Sequence, residues 1–177
     1  MSKAIDDLKH EHEAILAGLK ILDSMIDLGE QVPVDDLNGF IGFLKEFADK
    51  CHHGKEEDIL FPVLTKAGLP VDGGPVGVML SEHVQGREYI QAMENAVADS
   101  PDYEAFAKAG GQYAELLRQH IQKENNVLFV MAEKILSTEQ LDEIFEAFEK
   151  HEEQIIGHGR HDELHKMLES YRDRYGA

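Results

Sequence analysis

Two segments of the chain repeat one pattern of side chains that can bind a metal cation. Residues 52–61 and 120–129 both follow His-x-x-Lys-Glu-x-x-φ-Leu-Phe, where φ is Ile or Val. A histidine and a glutamate four residues apart lie on one face of an α-helix, about one turn apart, so both can contact one ion. Two copies predict two ions, one at each copy, which the two glutamates can bridge. The residues concerned are His52, Glu56, His120 and Glu124.

Two single histidines occupy core positions in other helical patterns. His12 falls in a series of apolar residues spaced three and four apart, and His83 falls in a similar series further along the chain. Burying an unpaired ionisable group costs several kcal/mol, and a bound metal removes that cost. We therefore predict a ligand set of four imidazoles and two carboxylates: His12, His52, Glu56, His83, His120 and Glu124.

The donor atoms restrict the metal. Nitrogen and oxygen donors without thiolate suit iron or manganese and are compatible with zinc. Cys51 is the only cysteine of the chain, which excludes a thiolate-rich cage and an internal disulfide. Six protein ligands for two ions leave coordination positions open, where oxygen, nitric oxide, peroxide or hydroxide can bind.

The register of the first copy needs an argument, because His53 and Glu57 have the same spacing as His52 and Glu56. In the internal repeat, however, His53 aligns with Ile121, and Glu57 aligns with an asparagine. We therefore assign His52 and Glu56 as ligands. His53 and Glu57 are left as residues that hydrogen-bond a ligand or line a path into the site.

Each of these features alone has an ordinary structural explanation. A lone histidine in an apolar stripe is often a hydrogen-bonded core residue, and a His-x-x-x-Glu pair often lies on a solvated face. Their combination on four helices favours the metal site. Tyr113 lies on the same face as His120 and either points its phenol at the site or packs in the core. The C-terminal histidines share one face and either bind a further metal or belong to a solvated helix: His158, His161 and His165.

The elements that must hold the ligands are four long helices. Apolar periodicity predicts these helices, separated at Gly29, at the glycine- and proline-rich stretch 68–77, and at Pro101. The second helix should open near Asp35, and the third just beyond residue 77. Long helices joined by short connections are typical of an antiparallel up-down four-helix bundle. We therefore predict an all-α fold, with this bundle at residues 1–136.

Residues 137–177 are predicted to form an extension of one or two helices. Ser137 and Gln140 match a capping box, and Gly157 and Gly159 predict a break before a short last helix. We expect this extension to pack on the bundle or to lie at a homodimer contact.

Composition excludes several other classes of protein. The 17 basic and 35 acidic residues give a net charge of −18, which disfavours sequence-independent binding of nucleic acid. No apolar run reaches the roughly 18 residues of a membrane span. Residues 1–8 mix charges into an amphipathic pattern that is unlike a secretory signal. We expect a cytoplasmic protein with no membrane or nucleic-acid partner.

At these residues the sequence resembles the hemerythrin-like family, which carries the HHE cation-binding domain. The resemblance covers residues 5–136 and rests on four segments in that family's order: 11–13, 52–62, 81–83 and 120–129. The motifs are closest to those of the repair-of-iron-centres proteins, bacterial di-iron proteins of nitrosative and oxidative stress. The resemblance implies two non-haem iron ions joined by an oxo or hydroxo bridge, with manganese or zinc less favoured. It makes Glu56 and Glu124 the bridging carboxylates, and the terminal ligands are His12, His52, His83 and His120.

Two positions depart from the oxygen-carrying members of that family. Those proteins have a second histidine one turn after the third-helix ligand, where this chain has Arg87. They also end with His-x-x-x-x-Asp, where this chain has His120 followed by Glu124. The loss of one imidazole should open a coordination position, so plain oxygen transport is not expected.

The expected function is therefore to bind or process oxygen, nitric oxide or peroxide in stress response or iron handling. The enzymatic form of this function would be a di-iron oxidoreductase or an iron-centre repair activity. Two alternatives remain: a non-catalytic module that senses metal or redox state, and a structural zinc-bound bundle.

Overall fold

The computed structural model describes residues 2–176, and these residues are mostly helical and contain no β-strand. Six helices follow one another along the chain. They are α1 (Lys3–Leu28), α2 (34–66), α3 (Pro75–Val97), α4 (103–135), α5 (Thr138–Ile155) and α6 (Arg160–Tyr175). The prediction of an all-α fold is confirmed.

Local sequence sets the ends of several helices. The Ser2 hydroxyl caps α1 by accepting a hydrogen bond from the N–H of Ile5, and Gly29 ends this helix with a φ of 54°, which favours glycine. The predicted capping box begins α5, since Ser137 and Gln140 each accept a hydrogen bond from the other's backbone N–H. These boundaries follow from the sequence.

Two helix starts differ from the prediction. α2 begins at Val34 with Pro33 in the cap position, so Asp35 lies in the first turn and is not the cap. α3 begins at Pro75, inside the stretch predicted to be a loop. Proline suits the first position of a helix because its φ is already helical and its missing N–H has no partner to lose there.

α2 and α4 contain π-helical turns, in which each N–H bonds the carbonyl five residues earlier. These segments are Leu44–His53 and Glu56–Leu60 in α2, and Glu124–Leu128 in α4. All three adjoin or include the repeated histidines and glutamates. Because a π turn holds about one residue more than an α turn, it changes which side chains face inward.

The apolar core consists of two clusters, and the predicted ligands lie between them. On α1, Leu8 belongs to one cluster and Ile15 to the other, with His12 between the two. His83 of α3 lies between the clusters in the same order, and Glu56 of α2 and Glu124 of α4 lie between them in the reverse order. Packed apolar side chains therefore bound the ligand layer on both sides and exclude water from it.

α5 and α6 pack against α1 and α2. The Tyr171 ring of α6 meets Phe40 of α2 edge-on with centroids 5.1 Å apart. The Arg160 guanidinium donates to both carboxylate oxygens of Glu46, at 2.7 and 2.8 Å. In the part of the chain that the structure describes, no helix combines the length and apolarity that a membrane crossing needs.

Candidate metal centre

Side chains from the four long helices meet in two groups of candidate ligand atoms. The first group contains His12, His52, Glu56 and Glu124, and the second contains His53, Glu56, His83 and His120. Within each group, one ligand atom per residue lies within 4.8 Å of the others. All seven residues are at most 3% exposed. The structure thus brings the six predicted ligands together and adds His53.

The outer nitrogen of four histidines faces an oxygen acceptor. The Nδ1 contacts are His12–Asn125 at 2.8 Å, His52–Glu11 at 2.8 Å, His83–Glu57 at 2.7 Å and His120–Glu82 at 2.9 Å. Because these oxygens only accept, the contacts assign the imidazole hydrogen to Nδ1. In a neutral imidazole the lone pair then lies on Nε2.

The Nε2 atoms point into the space between the helices. His12 Nε2 lies 3.1 Å from Glu124 Oε2, and His83 Nε2 lies 3.3 Å from Glu56 Oε2. The Nε2 atoms of His83 and His120 are 3.2 Å apart. Lone pairs repel one another at these distances. A proton or a metal cation between them turns that repulsion into attraction, so the donor set fits a cation.

Each of the two buried carboxylates faces both groups. Glu56 presents Oε1 to His52 at 3.7 Å and Oε2 to His83 at 3.3 Å. Glu124 presents Oε1 to His120 at 3.2 Å and its other oxygen to the first group. Within residues 2–176, none of these four oxygens has a hydrogen-bond partner. This arrangement fits two cations that share both carboxylates.

Protonation compensates part of this charge when no metal is bound. Burial and the neighbouring Glu124 carboxylate raise the pKa of Glu56 well above its ordinary value. Burial also opposes ionisation of Glu124, but its contacts with His120 and His12 outweigh burial and lower its pKa. Burial disfavours the charged form of His120, yet the carboxylates of Glu124 and Glu82 raise its pKa to about 9. A cation that binds here must therefore displace protons.

His53 is the member of the two groups that the sequence analysis placed outside the ligand set. Its ring stacks on His83 with centroids 3.8 Å apart, and its Nδ1 lies 3.5 Å from Asp49 Oδ1. In an α-helix, adjacent residues point about 100° apart, so periodicity favours only one inward histidine. The π-helical segment Leu44–His53 brings both His52 and His53 inward. The two adjacent histidines are visible in the sequence, but α-helical spacing does not predict that both side chains point inward.

Arg87 holds two carboxylates that face the second group. Its guanidinium donates to Asp49 at 2.9 Å and to Glu57 at 2.7 Å, next to His53 and His83. Burial opposes ionisation of Asp49, but its hydrogen bonds with His53 and Arg87 prevail and lower its pKa to about 2. Glu57 therefore contacts a predicted ligand, His83. This is one of the two roles predicted for Glu57 from the sequence.

Lys55 is buried beside the first group, with 1% of its side chain exposed. Its ammonium donates to Asp7 at 3.0 Å and to Glu11 at 2.8 Å, and it lies 3.1 Å from Glu152 of α5. Glu11 also accepts from His52 Nδ1. The lysine therefore reaches a predicted ligand through one carboxylate.

Tyr113 and Cys51 lie outside both groups. Tyr113 is buried among the apolar residues of one core cluster, and burial raises the pKa of its phenol. The Cys51 thiol lies 3.9 Å from Glu11 Oε1, and burial followed by the Glu11 charge raises its pKa. A buried thiol with a raised pKa is a poor nucleophile.

Comparisons with known proteins bear on the family of this chain. The model of the hemerythrin HHE cation-binding domain matches residues 3–132. The uncharacterized protein Rv1995 of Mycobacterium tuberculosis is 26% identical over 162 residues, which is 87% of this chain and 63% of that protein. The uncharacterized protein Mb2018 of Mycobacterium bovis gives the same figures.

A shorter match concerns a protein with a stated role. The iron-sulfur cluster repair protein YtfE of Escherichia coli is 34% identical over 88 residues, which is 46% of this chain and 40% of that protein. The chain thus spans less than two thirds of the length of these relatives. No solved structure matches the chain significantly. The extent of the family match shows that this chain belongs to the hemerythrin HHE cation-binding domain family.

Proposed function

We propose that the chain holds two non-haem iron ions in an antiparallel four-helix bundle. In this function the protein binds or processes oxygen, nitric oxide or peroxide in stress response or iron handling. The observation that carries the proposal is the convergence of buried Nε2 and carboxylate lone pairs from four helices on two adjoining points. Such a donor set, without thiolate, suits iron or manganese and is compatible with zinc. Membership of the hemerythrin HHE family makes iron the favoured metal.

Contacts between helices support the up-down bundle. On α1 and α2, Asp7 contacts Lys55 and Glu11 contacts His52, so the two helices pair in reversed order. The same reversal relates the later helices, through Lys45–Glu94 and Asp49–Arg87 for α2 and α3, and through Glu82–Lys123 and Gly86–Tyr113 for α3 and α4.

In the proposed site, each ion has its own imidazoles and shares both carboxylates. His12 and His52 would hold the first ion, and His83 and His120 the second, with Glu56 and Glu124 bridging. His53 would add a third imidazole to the second ion. It would thereby supply from α2 the imidazole that oxygen-carrying hemerythrins place where this chain has Arg87.

The surrounding residues orient the imidazoles. Carboxylates at Glu11, Glu57 and Glu82 accept from Nδ1, which fixes the ring and makes Nε2 a stronger donor to a metal. The apolar clusters on both sides keep water away from the donors. Bound iron supplies one-electron chemistry and open coordination positions for small molecules.

The relative named for iron-sulfur cluster repair supports one specific form of this function. Its match covers 46% of this chain. Among the proposed functions, we therefore favour an iron-centre repair activity.

The experiment is metal analysis and spectroscopy of protein produced with iron and purified without oxygen. We expect close to two iron ions per chain and a change in the absorption and Mössbauer spectra when nitric oxide or oxygen meets the reduced protein. The His158→Ala variant, altered at an exposed residue, should behave like the parent protein. Fewer than one iron per chain, or zinc in full occupancy with no response to either gas, would overturn the proposal.

A further inference from the structure

A second histidine cluster lies on the outside of the metal centre. His161 and His165 are one turn apart on α6, and their Nε2 atoms approach to 2.8 Å. The two rings lie 4.7 Å apart at an angle of 26°, and both meet the Phe47 ring edge-on. The aromatic contacts restrict both imidazoles to this facing arrangement.

One of these imidazoles has a carboxylate next to it. His161 Nδ1 lies 2.9 Å from Glu152 Oε1 on α5, at an ion-pair distance but without the geometry of a hydrogen bond. Its Nε2 faces the Nε2 of His165. A small rotation of the Glu152 carboxylate would give the Nδ1 support that metal-binding histidines usually have.

The separation of the two Nε2 atoms suits one transition-metal ion. Two nitrogens bound at the usual metal–nitrogen distance, at angles between square and tetrahedral, stand roughly 2.9–3.4 Å apart. The observed 2.8 Å needs only a small opening. His10 of α1 offers a third imidazole, since its ring centroid lies 6.5 Å from that of His165 and its side chain is exposed.

The inner side of the cluster is already filled by a cation of the protein. Glu11, Cys51, Glu152 and His161 have candidate ligand atoms within 4.8 Å of one another. The Lys55 ammonium contacts both glutamates there, at 2.8 and 3.1 Å. A further cation is therefore directed to the outer, Nε2 side.

The surface next to His161 is acidic. His161 lines a surface cavity of ≈ 820 Å³ whose wall also carries several carboxylates: Asp7, Glu146, Glu149, Glu152, Glu153 and Asp162. Only two lysines, Lys55 and Lys150, line the same cavity. The excess of negative charge raises the local concentration of cations.

We propose that His161 and His165 bind a divalent transition-metal ion of the zinc or copper class, with His10 as the third imidazole. Imidazole donors suit these metals. This site is separate from the two ions of the main centre and uses none of their ligands.

The test is a zinc titration of the full-length, iron-loaded protein, followed by calorimetry, with iron measured before and after. We expect one zinc per chain beyond the iron. His165→Gln should weaken its binding at least about tenfold, because it removes one of the three imidazole ligands. His158→Gln is the matched control, since it removes a neighbouring histidine that is 94% exposed, and it should bind zinc like the parent protein.

Copper gives a second, independent measurement. The electron paramagnetic resonance spectrum of one bound Cu²⁺ should show coupling to imidazole nitrogens that decreases in His165→Gln and in the double variant His161→Gln/His165→Gln. If the double variant does not fold, the single variant still decides the question. Zinc affinity equal in His165→Gln and the parent protein, or no zinc uptake beyond displaced iron, would overturn the proposal. Iron content reports on the main site separately, so failure of one site is distinguishable from failure of the other.

Discussion

The two halves of the metal centre present matching ligands in different surroundings. α1 with α2, and α3 with α4, each contribute a Glu-His pair and one copy of His-x-x-Lys-Glu. In each half, the glutamate of the pair accepts from the repeat histidine. The single histidine of each half, His12 or His83, forms a hydrogen bond with a residue of the other half. That residue directly follows the glutamate of the other half's repeat. The four contacts are Glu11–His52, Glu82–His120, His12–Asn125 and His83–Glu57.

Three pairs of equivalent positions differ between the halves. His53 pairs with Ile121 and Glu57 with Asn125, which differ in residue type. Lys55 pairs with Lys123, which differs in burial. The second group therefore gains an imidazole and a charged partner for its single histidine, while the first group has a neutral amide there. Lys55 is buried under α5, whereas the Lys123 side chain is 42% exposed. In the proposed centre the ligand pattern would thus place both ions, and the neighbouring positions would make their surroundings unlike.

The largest expected effect comes from the residues that the halves share. Glu56→Gln and Glu124→Gln should each lose most of both ions, because each carboxylate faces both groups. Metal analysis of protein loaded under identical conditions measures this, with the exposed Glu143→Gln as control. If either substitution removes one ion and leaves the other fully bound, that carboxylate belongs to one half only.

The lysines provide a test of the surroundings. Lys55→Met should lower the free energy of unfolding by about 3–5 kcal/mol, because it leaves buried carboxylates without their cation. Lys123→Met removes an ion pair whose lysine is 42% exposed and should cost less than about 1 kcal/mol. Denaturant unfolding of both variants in the same metal state gives the comparison. Equal losses of unfolding free energy in the two variants would mean that the burial of Lys55 under α5 adds nothing to stability.

The asymmetric histidine is tested by making the halves alike. His53→Ile copies the second half and should weaken binding of one ion at least about tenfold, since it removes an imidazole and its link to Asp49. Competition with a chelator measures the two affinities, and Ile121→Val serves as a packing control. Unchanged affinity for both ions would return His53 to the non-ligand role that the repeat predicts.

The smallest effect is a difference in pH dependence. The pKa of His120 is raised to about 9, so this imidazole holds a proton at neutral pH that a cation must displace. Burial lowers the pKa of His52, so this imidazole of the first group has no such proton to release. Beyond the proton on Glu56 that both groups share, affinity at the second group should rise roughly tenfold per pH unit and level off above pH 9. Chelator competition from pH 6 to 9.5, about half a unit past that pKa, measures it. Parallel curves for the two ions would contradict the assignment.

Much of the fold and site follows from spacing in the sequence. The capping box at Ser137 and the break at Gly157 depend on residues within a few positions of each other, so local chemistry is enough to predict them. The six predicted ligands come together because His and Glu four residues apart share a helical face whether the turn between them is regular or slightly widened.

The remainder depends on features that periodicity does not encode. His53 turns inward because of π-helical hydrogen bonding, and a pattern based on α-helical turns assigns it to another face. The burial of Lys55 requires Glu152, which lies almost a hundred positions away on a helix whose docking no local pattern specifies. The facing pair His161 and His165 had the right spacing, but only the packing of α5 on α6 supplies the carboxylate behind it.

The π-helical turns also determine where the chain can change in length. Each contains about one residue more than a regular turn, so deletion of the exposed Asp58 from Glu56–Leu60 lets this segment close to a regular turn, with Glu56 and Leu60 keeping their facing. A deletion from the regular turns of α3 beside His83 has no extra residue to remove and would rotate the two parts of that helix by about 100° relative to each other. The glycine-rich connection before α3 faces no such constraint. Losses of single residues should therefore be accepted between the helices and in the π turns, and rejected in the regular turns beside the ligands.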